Sequence, residues 1–212
     1  VLAILLLAGL VSCKEEPRAP QTAPEAALWT PYDESALLAA NADHSNPRMR
    51  YQLIQSRISD KNAVFDPLYA EAMALSPERY EQLSPLILES AIPQLQEAIS
   101  EGRLTYEELT RFYLRRIYTF ELDSARTLHT IVALNPMVVE QARDRDYVVQ
   151  ALPDADRHPV FGMPVLLKDN IGAKGMPTTA GATALKDHRP GNAFITSRLE
   201  MNGALILGKV NL

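Results

Sequence analysis

The chain holds one cysteine, Cys13, in 212 residues. No internal disulfide is possible, and a thiolate zinc site is excluded. Its four histidines, His44, His129, His158 and His188, lie far apart without metal-ligand spacing. Basic residues are outnumbered, 21 against 26 acidic, for a net charge of -5. That balance gives no electrostatic footprint for nucleic acid, which needs a basic patch or stripe. Glycine is missing from residues 33 to 101. There is no Gly-Lys-Ser/Thr phosphate loop, no Gly-x-Ser-x-Gly elbow and no Ser-x-x-Lys pair. The spacing of Gly172, Gly175 and Gly181 does not make a dinucleotide fingerprint. No catalytic carboxylate pair and no internal repeat stands out. What remains is an ordinary folded composition, 47% apolar and 22% charged, which excludes wholesale disorder, collagen and coiled coil.

The longest apolar run, Val1 to Val11, is too short for a bilayer span of roughly 20 residues. Its length suits the hydrophobic core of a signal peptide. The run ends at Leu10-Val11-Ser12-Cys13, which resembles a bacterial lipoprotein lipobox. That resemblance implies cleavage before Cys13 and lipid attachment to its thiol. Lys14 to Pro24 is rich in proline and charge and poor in bulky apolar residues, as a tether is. The expected organisation is a partial signal peptide over 1–12, a lipidated Cys13 with flexible linker over 13–32, a helical region over 33–92, and a second region over 93–212. The implied setting is the bacterial cell envelope, lipid-anchored and facing the periplasm. Lys14 after the cysteine favours the outer membrane.

Between Asp33 and Ser100 prolines divide the chain into short helices, and Asp66-Pro67, Ser76-Pro77 and Ser84-Pro85 each place a capping residue before a first-turn proline. A helix from Gln94 should stop at Gly102. Thr105-Tyr106-Glu107-Glu108 is a capping box. It opens a helix whose apolar stripe runs through Leu109, Phe112, Ile117 and Phe120, widened by Tyr113 and Leu114, with Arg111, Arg115 and Arg116 mostly toward water. Thr130 to Leu134 is a strand, Asn135-Pro136 a turn, and Met137 to Ala151 a second helix.

Seven of the nine glycines fall at or after Gly162. Met163 to Leu167 is a buried strand, ended by Lys168-Asp169-Asn170 and followed by a Gly-rich loop. Asn192 caps a helix to Asn202, and Ala204 to Leu207 is another buried strand. Strand, helix, strand predicts a βαβ unit in a covered sheet. Ligands of open α/β sheets bind beyond the carboxyl ends of strands, and Lys168 occupies that place. Desolvation there would disfavour its ammonium form and allow it to act as a general base. Lys209 repeats the pattern at the next strand end and reads as structural.

Phe161-Gly162-Met163-Pro164-Val165-Leu166-Leu167-Lys168-Asp169-Asn170 and Gly175-Met176-Pro177-Thr178-Thr179-Ala180-Gly181 resemble the start of the amidase signature family. Ala204 to Leu212 is similar to the family's next strand motif, and Leu109 to Ile117 with Ala133 to Pro136 match its upstream helices and first strand. The resemblance covers roughly Pro93 to Leu212. It implies the N-terminal portion of an α/β/α fold, a mixed sheet covered by helices, preceded here by an all-helical segment. It implies amide hydrolysis by a Ser–cis-Ser–Lys triad through an acyl-enzyme, with Lys168 as the triad lysine, a small-molecule amide as substrate and no cofactor. Ala182 stands where the family usually has serine. The triad serines belong to a segment beyond the second strand motif, so these residues are expected to form an inactive, incompletely folded N-terminal fragment. A non-catalytic lipid-anchored binding or scaffold lipoprotein is the alternative. A glutaminase-type subunit that amidates charged tRNA is a further one.

Overall fold

The computed structural model describes residues 28–30, 33, 35–50, 61–152 and 156–212. Cys13, the signal-like run and most of the expected linker lie outside the described residues. The elements run α1 (Ser35–Asn41), α2 (Lys61–Phe65), α3 (Tyr69–Met73), α4 (Pro77–Ile87), α5 (Ile92–Ser100), α6 (Tyr106–Glu121), β1 (Ile131–Leu134), α7 (Val138–Ala151), β2 (Pro164–Lys168), α8 (Phe194–Met201) and β3 (Leu205–Val210). Among the described residues no helix is long and apolar enough to cross a membrane.

Local chemistry explains most boundaries. Ser76 caps α4 by accepting the Arg79 N–H at 3.1 Å, with Pro77 at the first helical position. Gly102 closes α5 with φ +72°. The Gly102 and Arg103 N–H groups return to the Ile99 and Ala98 carbonyls, as in a Schellman motif. Thr105 and Glu108 form the expected box: the Glu108 N–H donates to Thr105 Oγ1 at 3.0 Å, and the Thr105 N–H to Glu108 Oε2 at 3.2 Å. Two capping expectations fail. Pro85 lies inside α4 rather than opening a helix. It gives up one backbone donor in the last turn, where Ser84 uses its hydroxyl to bond the Tyr80 carbonyl. Asp66 makes no side-chain cap, and the short 3-10 turn 66–68 follows directly from α2.

Helix α6 is the central post. Tyr106, Leu109, Phe112, Leu114 and Tyr118 are buried along it. The Tyr80 ring stacks on Phe112 with centroids 4.5 Å apart, and Phe65 meets Tyr118 edge-on. Of the expected stripe, Leu109, Phe112 and Leu114 are buried and Tyr113 and Ile117 half-buried, whereas Phe120 is exposed. Arg111, expected in water, is largely covered. It bonds Glu71 at 2.6 Å and Glu107 at 2.9 Å, while Arg143 reaches the same two carboxylates. This network ties α3, α6 and α7 together. The Glu107–Arg111 pair is local to α6, four residues apart, whereas the links to Glu71 and Arg143 form only where the helices meet. Arg115 likewise donates to the Leu75 carbonyl. The helical stretch 61–92 therefore shares one core with the rest, since Phe65, Leu68, Leu83 and Ile87 cluster with Phe112, Val138 and Leu205.

The sheet is mixed and three-stranded, ordered β1-β3-β2. β3 runs antiparallel to β1 and parallel to β2, with α8 as the crossover. The expected βαβ unit is thus present. β3 is buried along most of its length, whereas β2 is half-covered, with Leu166 and Lys168 exposed. Among the described residues β2 pairs on one edge alone.

Candidate active site

The Gly-rich loop after β2 is organised by β2, β3 and the start of α8. The Ala193 N–H and Thr196 hydroxyl both donate to the Gly172 carbonyl. The Thr178 N–H donates to the His188 carbonyl at 2.9 Å. Asn192 does not cap α8, whose N-cap is Ala193. Its side-chain oxygen instead accepts the Lys174 N–H.

The residues at the strand ends are divided by a bulge. Val165 pairs with Ile206, but Leu166 pairs with Gly208, so β3 carries one extra residue, Leu207. A bulge of this kind resets the alternation of side chains. Leu205 and Leu207 both join the large core shared with α6 and α7. Leu167 then pairs with Lys209, on the face of the smaller cluster formed by Ala173, Met176 and Ile206. Lys168 pairs with Val210 and falls on the opposite face with Leu166.

Lys168 consequently differs from expectation. Its side chain is exposed, and among the described residues it makes no hydrogen bond or ion pair. The desolvated lysine is Lys209, fully buried at the adjacent strand. Burial pushes the Lys209 ammonium below the ordinary lysine value, against the opposing pull of the Asp169 carboxylate. Lys209 Nζ donates to Thr178 Oγ1 at 2.9 Å and the Pro177 carbonyl at 3.3 Å, and lies 3.5 Å from Asp169 Oδ1. Asp169 Oδ2 accepts from the Thr179 N–H at 3.1 Å and from the Thr179 hydroxyl. The reading of Lys209 as structural fits this enclosure. In sequence, Asp169, Thr178 and Thr179 carry no pattern that marks them as a cluster. The parity that joins them to Lys209 depends on the Leu207 bulge, whose sequence signal is Gly208, since an isolated glycine inside a strand often marks a bulge.

An apolar cavity of about 570 Å³ opens on the Leu166 side, walled by Tyr113, Ile117, Phe120, Leu128, Met163 and Leu166. It reaches the strand two residues short of Lys168, which does not line it.

The amidase family model matches residues 108–212. The chain is 32% identical over 127 residues to a glutamyl-tRNA(Gln) amidotransferase subunit of an Exiguobacterium species, covering 59% of this chain and 25% of that protein. An amidase family protein from Bacillus anthracis superposes with a TM-score of 0.65 at 33% identity, over 72% of this chain and 30% of that one. The peptide amidase of Stenotrophomonas maltophilia gives 0.55 at 38% identity, over 59% and 25%. These likenesses support the amidase family. The mixed α/β architecture matches its solved members. The amidase match spans most of α6 and every strand, and so includes both Lys168 and Lys209. The chain spans about a quarter of the length of the curated relatives it matches.

Proposed function

We propose that this chain supplies the lysine-bearing strand of a linear-amide hydrolase that works through a Ser–cis-Ser–Lys triad. The observation that carries the reading is a lysine at the carboxyl end of β2, within the amidase-matched segment 108–212. In its neutral form Lys168 would take a proton by way of a bridging serine. The nucleophilic serine would attack the amide carbonyl, the proton would return by way of the bridging serine to the leaving nitrogen so that it departs as an amine, and water would then release the acid from the acyl-enzyme. Backbone N–H groups near the nucleophile would hold the oxyanion. No serine of these 212 residues is assigned to the triad, so by themselves they are expected to be inactive. The substrate is a small-molecule amide.

The test uses the full-length protein, with serine-directed fluorophosphonate labelling and turnover of simple amides. Lys168→Ala should abolish turnover. Turnover within a few-fold of the parent would remove Lys168 from the role.

The envelope location is a separate proposal resting on the Leu10-Val11-Ser12-Cys13 motif. Lipid at Cys13 would hold the protein to a membrane, with more than one acyl chain needed for stable anchoring. Metabolic labelling with an alkyne fatty acid should mark the parent and not Cys13→Ser; equal labelling of both defeats it. The second reading, a subunit that amidates charged tRNA, is favoured by the 32% identity to a glutamyl-tRNA(Gln) amidotransferase subunit. Glutamine-dependent amidation of glutamyl-tRNA would separate it from hydrolysis of simple amides.

A further inference from the structure

The Lys209 cluster lies one residue from Lys168 and has no part in the proton transfers above. We propose that Lys209 is a positioning residue for Lys168: its ammonium group ties Asp169 to the Pro177–Thr178 segment and so fixes the turn from which β2 presents the Lys168 side chain. The inference rests on the reading of Lys168 as the triad base.

Lys209 donates two hydrogen bonds, to Thr178 Oγ1 and the Pro177 carbonyl, and its 3.5 Å contact with Asp169 Oδ1 is an ion pair rather than a hydrogen bond. All three partners belong to the protein, and the side chain is sealed from solvent. That removes Lys209 as a base. Asp169 is held from several sides. Its Oδ2 accepts from Thr179, its N–H donates to the Val210 carbonyl at 2.8 Å, and its carbonyl accepts the Ala180 N–H at 3.3 Å. The next turn begins with the Ile171 N–H donating to the Lys168 carbonyl. Lys168 makes no side-chain hydrogen bond or ion pair among the described residues. Its flexible stem starts from a Cα and Cβ whose place is set by the backbone, and that backbone is anchored through Asp169.

Stability alone does not account for the pair. Well-packed apolar residues of similar volume serve a buried site as well as an ion pair does. Directional hydrogen bonds provide what they cannot, a single arrangement of the turn. A reacting group displaced by about 1 Å can lose about 100-fold in rate, so the arrangement has a catalytic consequence.

The test compares Lys209→Met, the neutral pair Asp169→Asn with Lys209→Met, and Thr178→Val in the full-length protein. Three quantities are read: melting temperature, amide hydrogen exchange resolved by segment, and kcat against KM. Lys209→Met should speed exchange over residues 169–182 by about tenfold or more while α6 keeps its protection. It should lower kcat by about 100-fold with KM within about threefold. The neutral pair should recover melting temperature, having no unpaired charge. Its turn should still exchange fast and its kcat stay low, because methionine offers Thr178 and Pro177 no donor. Thr178→Val is the mild variant, expected to fold and to lower kcat several-fold. Unchanged exchange over 169–182, or a neutral pair that regains kcat together with melting temperature, overturns the proposal. Should Lys209→Met not fold, the neutral pair and Thr178→Val decide by the same criteria. Lys168→Ala separates the two readings. If it leaves turnover intact, the triad assignment fails, while the exchange data still report whether Lys209 orders the turn.

Discussion

Gly208 is where the two registers of the sheet meet, and replacing it with alanine is a sharp test of that geometry. A Cβ there would overlap the Ala133 carbonyl oxygen and lie 3.2 Å from Leu134 Cα. Ordinary carbon–oxygen contacts begin near about 3.3 Å, so β1 must retreat by about 1 Å. A bond of about 2.9 Å stretched that far is no longer a hydrogen bond. Losing two or three β1–β3 bonds at about 1 kcal/mol each gives about 2–3 kcal/mol, within the overpacking range of about 1–3 kcal/mol. With a urea dependence of about 2–3 kcal/mol per molar, the unfolding midpoint of the full-length protein should fall by about 1 M. Two controls isolate the cause. Gly191→Ala meets nothing within 4 Å and should stay within about 0.5 kcal/mol. Gly102→Ala also meets nothing but carries φ +72°, and should cost about 1 kcal/mol through backbone strain alone. If Gly208→Ala is no more harmful than Gly191→Ala, the close approach of β1 to β3 is refuted.

Other outcomes follow from the same contacts. Thr105→Ala removes the N-cap of α6 and should cost about 1 kcal/mol by urea unfolding. Arg111→Met leaves Glu71 and Glu107 to Arg143 alone, and should lower stability with a loss that shrinks in high salt. Glu121 accepts from the Thr130 N–H, Thr127 and Lys61. Glu121→Gln should cost about 1–3 kcal/mol, since buried donors lose their acceptor. Burial alone would raise the Glu121 carboxyl, but the Thr130 and Lys61 hydrogen bonds outweigh it and hold it below the usual glutamate value. A depressed carboxyl contributes stability above its unfolded value near 4.5 and loses it as pH falls through the folded value. The parent should therefore show a steeper acid loss of stability than Glu121→Gln. Parallel acid limbs would contradict that assignment.

The sequence disclosed what depends on neighbours in the chain. The Thr105–Glu108 box, the Gly102 stop, the Asn135 turn and the βαβ order all rest on spacings of a few residues, and all are present. It missed what depends on distant partners. Arg111 looks like a solvent-facing arginine until α3 and α7 close over it. The expected linker looks uniformly loose, yet at its end the Trp29 N–H donates to Asn62, and Lys61 Nζ stands 4.1 Å from the Trp29 ring centroid. Composition cannot reveal an anchor that α2 supplies from 33 residues away.

The two strand-end lysines carry the same lesson into the candidate site. Lys168 closes β2 and Lys209 stands one residue from the end of β3, and by composition either could be the desolvated one. One inserted residue, Leu207, decides between them. Without it, the alternation of Leu205 and Leu207 would carry Lys209 into the core against α6 and α7, where no acceptor waits among Leu109, Phe112 and Val138. With it, Lys209 turns to Asp169 and Thr178, and Lys168 is left on the open face of β2. A buried ammonium survives where acceptors surround it, and the bulge meets that condition for Lys209 while leaving the Lys168 nitrogen without a polar partner among the described residues.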